Sequence, residues 1–223
     1  MLSQGEKIGL IAGRGAFPMH FALAAASDGH PVMALAIEGF ASPELEQHVD
    51  EIHWLGVGQL DTLVTLCHQS RVQHLAMAGQ IDHGAVFNPS KIEPRAFKLL
   101  AKLNDRRAQS IASVLIEELK SENISVLDSS HFLKDFLPEP GLITANRPIT
   151  TREQDDIDFG LPLARSIAGL DIGLCVVVKD GAVVAVEALE GTDETILRAG
   201  RLAGPATVAV KVSRPSQDFR FDL

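Results

Sequence analysis

The sequence predicts an α/β protein, a Rossmann-like parallel sheet followed by a smaller α+β domain, and three observations carry that expectation. Short apolar runs alternate with helix-period segments through residues 1–137. A glycine loop, Gly13-Arg14-Gly15, joins the first such run to a helix, the arrangement that offers backbone N–H groups to a phosphate. Pro138-Glu139-Pro140-Gly141 then punctuates the chain, and behind it two β-rich runs meet at Asp180-Gly181, a pair suited to a tight hairpin turn. The expected domains are therefore 1–137, Rossmann-like, and 138–223, α+β.

In order, Lys7 to Ala12 reads as a strand, and Pro18 suits the first turn of a helix running to about Ser27. Val32 to Ile37 is the second strand and Glu51 to Leu55 the third. The spacing Leu60, Leu63, Val64, Cys67 predicts a helix over 60–70, and His74 to Ala78 a fourth strand. Pro94 starts a helix through Leu103, Asp105 is placed to cap another through Leu119, and Ile124 to Leu127 is the fifth strand. In such sheets ligands sit at the carboxyl ends of strands, where Gly13, Gly15, Gly79, Gln80 and Asp82 fall. The fingerprint G-x-G-x-x-G is only half present, because its third glycine falls on Pro18; Glu38 is a loosely placed ribose candidate.

In the second half, Thr150-Thr151-Arg152-Glu153 matches a capping box and opens a helix to about Ala168. Of its early acidic residues, Asp155 reads as a solvated face, while Asp156 and Asp158 are open. The hairpin's outgoing strand is expected to end at Glu190, with Gly191 turning the chain and Thr192 capping a helix from Asp193 to about Leu202. Thr207 to Ser213 is the last alternating strand.

Composition limits function. A net charge of -9 argues against nucleic-acid binding, which needs clustered Lys and Arg. Cys67 and Cys175 lack metal-ligand spacing and read as buried free thiols, consistent with a cytoplasmic chain. No apolar run reaches membrane-spanning length, so membrane contact is expected to be peripheral. The eight histidines show no zinc spacing and read as helix-face and loop residues, His83 alone being kept as a weak substrate contact.

Chemistry-bearing residues gather at two places. Glu187, Glu190, Asp193 and Glu194 crowd one strand-to-helix corner, and a divalent cation would relieve their mutual repulsion; from this corner alone a solvated acidic face with a helix cap is the favoured reading. The tail Arg214-Pro215-Ser216-Gln217-Asp218-Phe219-Arg220-Phe221-Asp222, if extended, puts Asp218, Arg220 and Asp222 on one face. Two carboxylates there could flank a metal while the Arg220 fork takes phosphate oxygens; an amphipathic edge strand is the rival reading.

Val186-Glu187-Ala188-Leu189-Glu190-Gly191-Thr192-Asp193, with Lys211-Val212-Ser213-Arg214 and the tail just quoted, resembles the C-terminal signature of the LpxI-type UDP-2,3-diacylglucosamine pyrophosphatases. Ile8-Gly9-Leu10-Ile11-Ala12-Gly13-Arg14-Gly15-Ala16-Phe17-Pro18 is similar to that family's opening. The resemblance implies Mg²⁺-dependent hydrolysis of a lipid-linked UDP-sugar to UMP and 2,3-diacylglucosamine 1-phosphate in lipid A synthesis, peripheral to the inner membrane. It points to Asp218, Asp222 and Arg220 as catalytic, with Glu190 and Asp193 added as candidate metal ligands. Thr192 and Lys211 join Gly13, Gly15, Gly79, Gln80 and Asp82 as candidate substrate contacts.

Two departures accompany the resemblance. Leu174 follows Asp171-Ile172-Gly173 where the family pattern has glutamine, and family members continue past the Arg-Phe-Asp motif whereas this sequence ends at Leu223. A dinucleotide-dependent oxidoreductase and a non-catalytic nucleotide-binding module are the alternatives. The oligomeric state is open, a homodimer included.

Overall fold

A computed structural model describes residues 2–82, 85, 92–103, 105, 107–144, 147–215, 218 and 220. By contacts the chain divides into two compact units, Met1–Leu137 with Asp218–Leu223, and Pro138–Gln217.

In the first unit the strands β1 (Ile8–Ala12), β2 (Val32–Ile37), β3 (Glu51–Leu55), β4 (His74–Ala78) and β5 (Ser125–Val126) form a parallel sheet in the order β3-β2-β1-β4-β5. The helices are α1 (Phe17–Ser27), α2 (Leu60–Gln69), α3 (Pro94–Ala101) and α4 (Ala108–Ser121). Period-two alternation sends Ile8, Leu10 and Ala12 of β1 into a core with Phe21, Ala22 and Ala25 of α1. Ile11, with Met33 and Leu35 of β2, joins the opposite core, packed with Leu63 and Cys67 of α2 and Leu119 of α4. Both faces are thus covered, which is why β1 and β2 read as continuous apolar runs rather than as alternation. Full burial of a side chain such as Phe21 contributes about 1.5–3 kcal/mol.

Several boundaries differ from expectation. Asp105 does not cap α4: Arg107 is its N-cap, and the Asp105 carboxylate accepts instead from the Arg107 N–H at 2.9 Å and its guanidinium at 2.8 Å. Two short 3-10 helices, Pro43–His48 and Lys134–Phe136, lie where no element was expected. His53 and His74 sit in strands, paired respectively with Glu51 at 2.7 Å and Glu6 at 2.5 Å.

The second unit is a three-stranded antiparallel sheet, β7 (Ala182–Val186), β6 (Cys175–Lys179), β8 (Val208–Lys211), with α5 (Thr151–Gly169) and α6 (Thr192–Ala203) on opposite faces. Both halves of the Thr150/Glu153 capping box form. Gly160 lets α5 approach the sheet, since a Cβ there would lie 2.8 Å from Val210 Cγ2. At the β6–β7 turn Asp180 and Gly181 have φ of 53° and 71°, the paired positive values of a type I′ hairpin. Asp156 of α5, left open by the sequence, is 2% exposed and accepts from the Asp180 and Gly181 N–H groups at 3.1 and 2.7 Å. That buried carboxylate is a clasp for the turn.

Candidate functional site

The chain runs outward from β1 to β2 and β3 and then crosses back through α2 to β4 on the other side of β1, so the order reverses between β1 and β4, the switch point where such sheets take ligands. The two loops that emerge there are stitched together. Gly13 N–H donates to Ala78 O at 2.8 Å, and Arg14 and Gln80 exchange backbone hydrogen bonds of 2.8 and 3.0 Å. A Cβ on Gly13 would lie 2.6 Å from Gln80 O, so glycine is needed for the close approach. Gly79, at φ +85°, has both constraints: its Cβ would fall 2.7 Å from Arg14 O and 2.9 Å from Pro18 Cγ. Pro18, which breaks the dinucleotide fingerprint, is thus part of the packing that seats the β4 loop. Gly13, Gly15, Gly79, Gln80 and Asp82 come together here.

The arginine between the two glycines completes this cluster. Arg14 reaches Asp82 with both terminal nitrogens at 3.3 Å, both side chains being more than half exposed, and its guanidinium lies 5.2 Å from the Phe40 ring centroid. An exposed pair of this kind contributes about 0–1 kcal/mol, so an arriving phosphate can take the guanidinium from Asp82. Sequence reasoning quoted Arg14 without giving it a role; its place between two glycines after the first strand was the available signal.

The acidic corner of the second unit is organised differently from expectation. Strand β7 ends at Val186, and Gly191 rather than Thr192 occupies the N-cap of α6. Thr192 is the first helical residue; its hydroxyl donates to Glu187 Oε1 at 3.1 Å and accepts from Lys211 Nζ at 3.0 Å. Glu187, 9% exposed, also accepts from the Leu174 N–H at 3.2 Å. The backbone of Leu174 therefore supplies a polar contact although its side chain cannot. The two predicted substrate contacts of this unit, Thr192 and Lys211, are brought together, with the Thr192 hydroxyl bridging Lys211 to the buried Glu187 carboxylate.

Glu190 serves a separate set. Its oxygens accept from the Ala188 N–H at 3.1 Å, the Thr195 hydroxyl at 3.3 Å and Arg198 at 2.6 Å. Hydrogen bonding by its own backbone N–H and by Arg198 holds its carboxyl below the ordinary value. Asp193 stands exposed in the first turn of α6. Among the described residues no group of three or more His, Cys, Asp or Glu is placed to hold a metal.

The tail is not an extended strand at its described positions, because Arg220 lies in a turn. Its N–H and Nε donate to Asp218 Oδ1 at 3.1 and 2.9 Å, and a terminal nitrogen reaches Oδ2 at 2.5 Å. The forked pairing keeps the Asp218 carboxyl low and raises the arginine. Arg220 thus closes on Asp218 instead of standing beside it. Asp222 and His83 lie outside the described residues.

Cys67 and Cys175 are buried free thiols, and burial pushes Cys67 up to about 12, so neither is a nucleophile at neutral pH. No helix among the described residues is long and apolar enough to cross a membrane.

The UDP-2,3-diacylglucosamine pyrophosphatase LpxI of Caulobacter vibrioides is 27% identical over 229 residues, covering 98% of this chain and 80% of the relative. Among solved structures the chain matches a leucoanthocyanidin reductase–NADPH complex from Vitis vinifera at 12% identity and TM-score 0.32, covering 55% of this chain and 34% of that one. It matches glycinamide-RNase-transformylase T from Mycobacterium tuberculosis at 14% identity and TM-score 0.31, covering 92% and 48%. The chain spans between 34% and 48% of those two proteins' length. With the LpxI N-terminal domain matching residues 7–136 and the LpxI C-terminal domain matching residues 139–223, the chain belongs to the LpxI family.

Proposed function

We propose that this chain hydrolyses the diphosphate of UDP-2,3-diacylglucosamine, releasing UMP and 2,3-diacylglucosamine 1-phosphate for lipid A synthesis, with Mg²⁺ as cofactor. The observation that carries the reading is the paired-loop switch point, with Gly13, Gly79 and Arg14 drawn onto one edge, in a chain matched end to end by the two LpxI domains.

A phosphoric anhydride resists water because its negative oxygens repel the nucleophile, so the site needs positive charge and orientation more than an activated side chain. Arg14 and Arg220 are the guanidinium groups for the phosphate oxygens, each parked on an aspartate until substrate arrives. Asp218 and Asp222 would hold Mg²⁺: carboxylate oxygens are the donors it takes, and Arg220 keeps Asp218 ionised. When bound, the ion supplies charge neutralisation at the phosphates and an acidified water. Glu190, with both oxygens occupied locally, supports the start of α6. Lys211 and Thr192 contact the substrate through their ammonium and hydroxyl, the hydroxyl being oriented by Glu187 and in turn holding the ammonium. The enzyme works in the cytoplasm, held peripherally at the inner membrane where its lipid substrate resides.

The test is UMP release from UDP-2,3-diacylglucosamine in detergent, with Mg²⁺ or EDTA, for the chain and its Asp218→Ala and Asp222→Ala variants. Release that requires Mg²⁺ and drops by at least about a hundredfold in either variant, roughly 2.7 kcal/mol of transition-state stabilisation, is expected. Metal-independent release, or full activity in both variants, would defeat the metal assignment.

A further inference from the structure

Beside the switch point the first unit holds a cavity of about 300 Å³ between the carboxyl ends of β1–β4 and the helices α3 and α4. Ile11, Ile37 and Met77 form its sheet wall, while Ala96, Leu100 and Ile111 face it from the helices. Among the described lining residues Gln59 alone has a polar side chain, and its Oε1 already accepts from the Gly56 N–H at 2.6 Å. The cavity is held open by charge outside it. Arg95 of α3 bonds Asp61 of α2 at 3.1 Å and Glu118 of α4 at 3.0 Å, and also pairs with Glu122, so three helices are fixed around the void.

We propose that this cavity is the seat of one fatty-acyl chain of the substrate; the assignment rests on the pyrophosphatase reading above. Gly79 and Ile81 belong both to the cavity wall and to the β4 loop, so a group lodged inside lies next to whatever diphosphate the glycine loops hold. A nucleobase or sugar in the same space would leave most of its donors and acceptors without partners, since the described side chains of the wall, Gln59 apart, present aliphatic carbon. Hydrocarbon meets no such difficulty, and each methylene removed from water strengthens binding about fourfold. An open apolar void left unfilled weakens a fold, so its retention inside a helix clamp fits a preformed ligand site.

The experiment fills the cavity from two helices, with Ala96→Phe and Ala112→Phe, and reads two things. The first is binding of cis-parinaric acid, a fluorescent fatty acid, to the intact chain. The second is the ratio of kcat/KM for UMP release from the ditetradecanoyl substrate over the dibutanoyl one. Both are expected to fall at least about tenfold, the burial of roughly two methylenes, with unchanged far-ultraviolet circular dichroism. Ile111→Asn, which adds a polar wall without bulk, serves where the larger residues unfold the chain, and the same losses are expected. UMP release in which probe affinity and the chain-length ratio stay at wild-type values in folded variants would overturn the cavity assignment and leave the pyrophosphatase reading standing. Absence of UMP release by the wild type, with probe binding that the variants weaken, would sink the pyrophosphatase reading and support the cavity as an acyl site.

Discussion

Arg14 and Gln80 exchange backbone hydrogen bonds of 2.8 and 3.0 Å across the switch point, joining the loops that follow β1 and β4. The bridge pairs residues 66 apart in the chain as an isolated antiparallel contact at the end of a parallel sheet. It turns two loops that are separately unremarkable in sequence into one rigid rim, with glycines on the inside of each turn. The side chains of Arg14 and Asp82 then stand on that rim, exposed to an incoming ligand.

Gly79→Ala tests the rim. The substitution meets both a left-handed φ of +85° and a backbone oxygen 2.7 Å from the new Cβ. Backbone strain of this type costs about 1–3 kcal/mol, and the steric conflict adds to it. Urea denaturation is expected to show a lower midpoint with an unchanged slope, and UMP release is expected to fall. Gly15→Ala is the control: its φ is +103°, yet nothing lies within 4 Å, so only the conformational part of the penalty applies.

Arg14→Ala and Asp82→Ala separate phosphate binding from structure. Removing either partner of an exposed pair changes stability by about 1 kcal/mol or less. Their effects on ligand are expected to be opposite. Arg14→Ala removes a charge-assisted bond to phosphate and should weaken UMP, measured by titration calorimetry, by about tenfold or more. Asp82→Ala frees the guanidinium and should leave UMP binding equal or tighter. Equal losses in the two variants would mean that Asp82 itself touches the ligand.

Much of this was legible because the chain states its periodicities plainly. The β1 and β2 runs, the α2 stripe of Leu60, Leu63, Val64 and Cys67, the Thr150 capping box and the Asp180-Gly181 turn all form as read, since each is decided by local chemistry. Errors arose where a different side-chain partner outbid the expected one. Thr192 has the side chain of an N-cap, but Glu187 and Lys211 claim its hydroxyl and Gly191 takes the cap. Asp105 turns to Arg107. Arg220 folds back on Asp218, a competition that face-counting along an extended tail cannot register. Asp156 was undecidable from local sequence because its partners lie 24 and 25 residues away.

Asp156→Ala should be among the most damaging single changes in the second unit. The carboxylate is 2% exposed and satisfies two backbone donors of the hairpin turn. Its loss leaves the Asp180 and Gly181 N–H groups without their carboxylate acceptor, and a hydrogen bond to a charged group contributes about 1.5–3 kcal/mol. Thermal melts should show a clearly lowered midpoint, and hydrogen exchange at Gly181 should accelerate before exchange in β6. Asp155→Ala, one residue away on the exposed face, is expected to leave the melt within about 0.5 kcal/mol of the parent.

Glu51 sets an acid limit on the first unit. Hydrogen bonds from His53, Lys7 and Ser70 hold its carboxyl down at about 2, against an ordinary value of 4.5. A folded-state value below the unfolded one means that the unfolded chain binds the extra proton first. The stabilisation is therefore complete above about pH 4.5 and is lost progressively as pH falls toward 2. It ties β3 to Lys7 just before β1 and to Ser70 just after α2, so the sheet's amino-terminal edge should loosen in that window. Glu51→Gln removes the titrating group, and its stability should fall less steeply than the parent's between pH 4.5 and 2 in parallel urea titrations. Parallel slopes for the two proteins would place the acid sensitivity elsewhere.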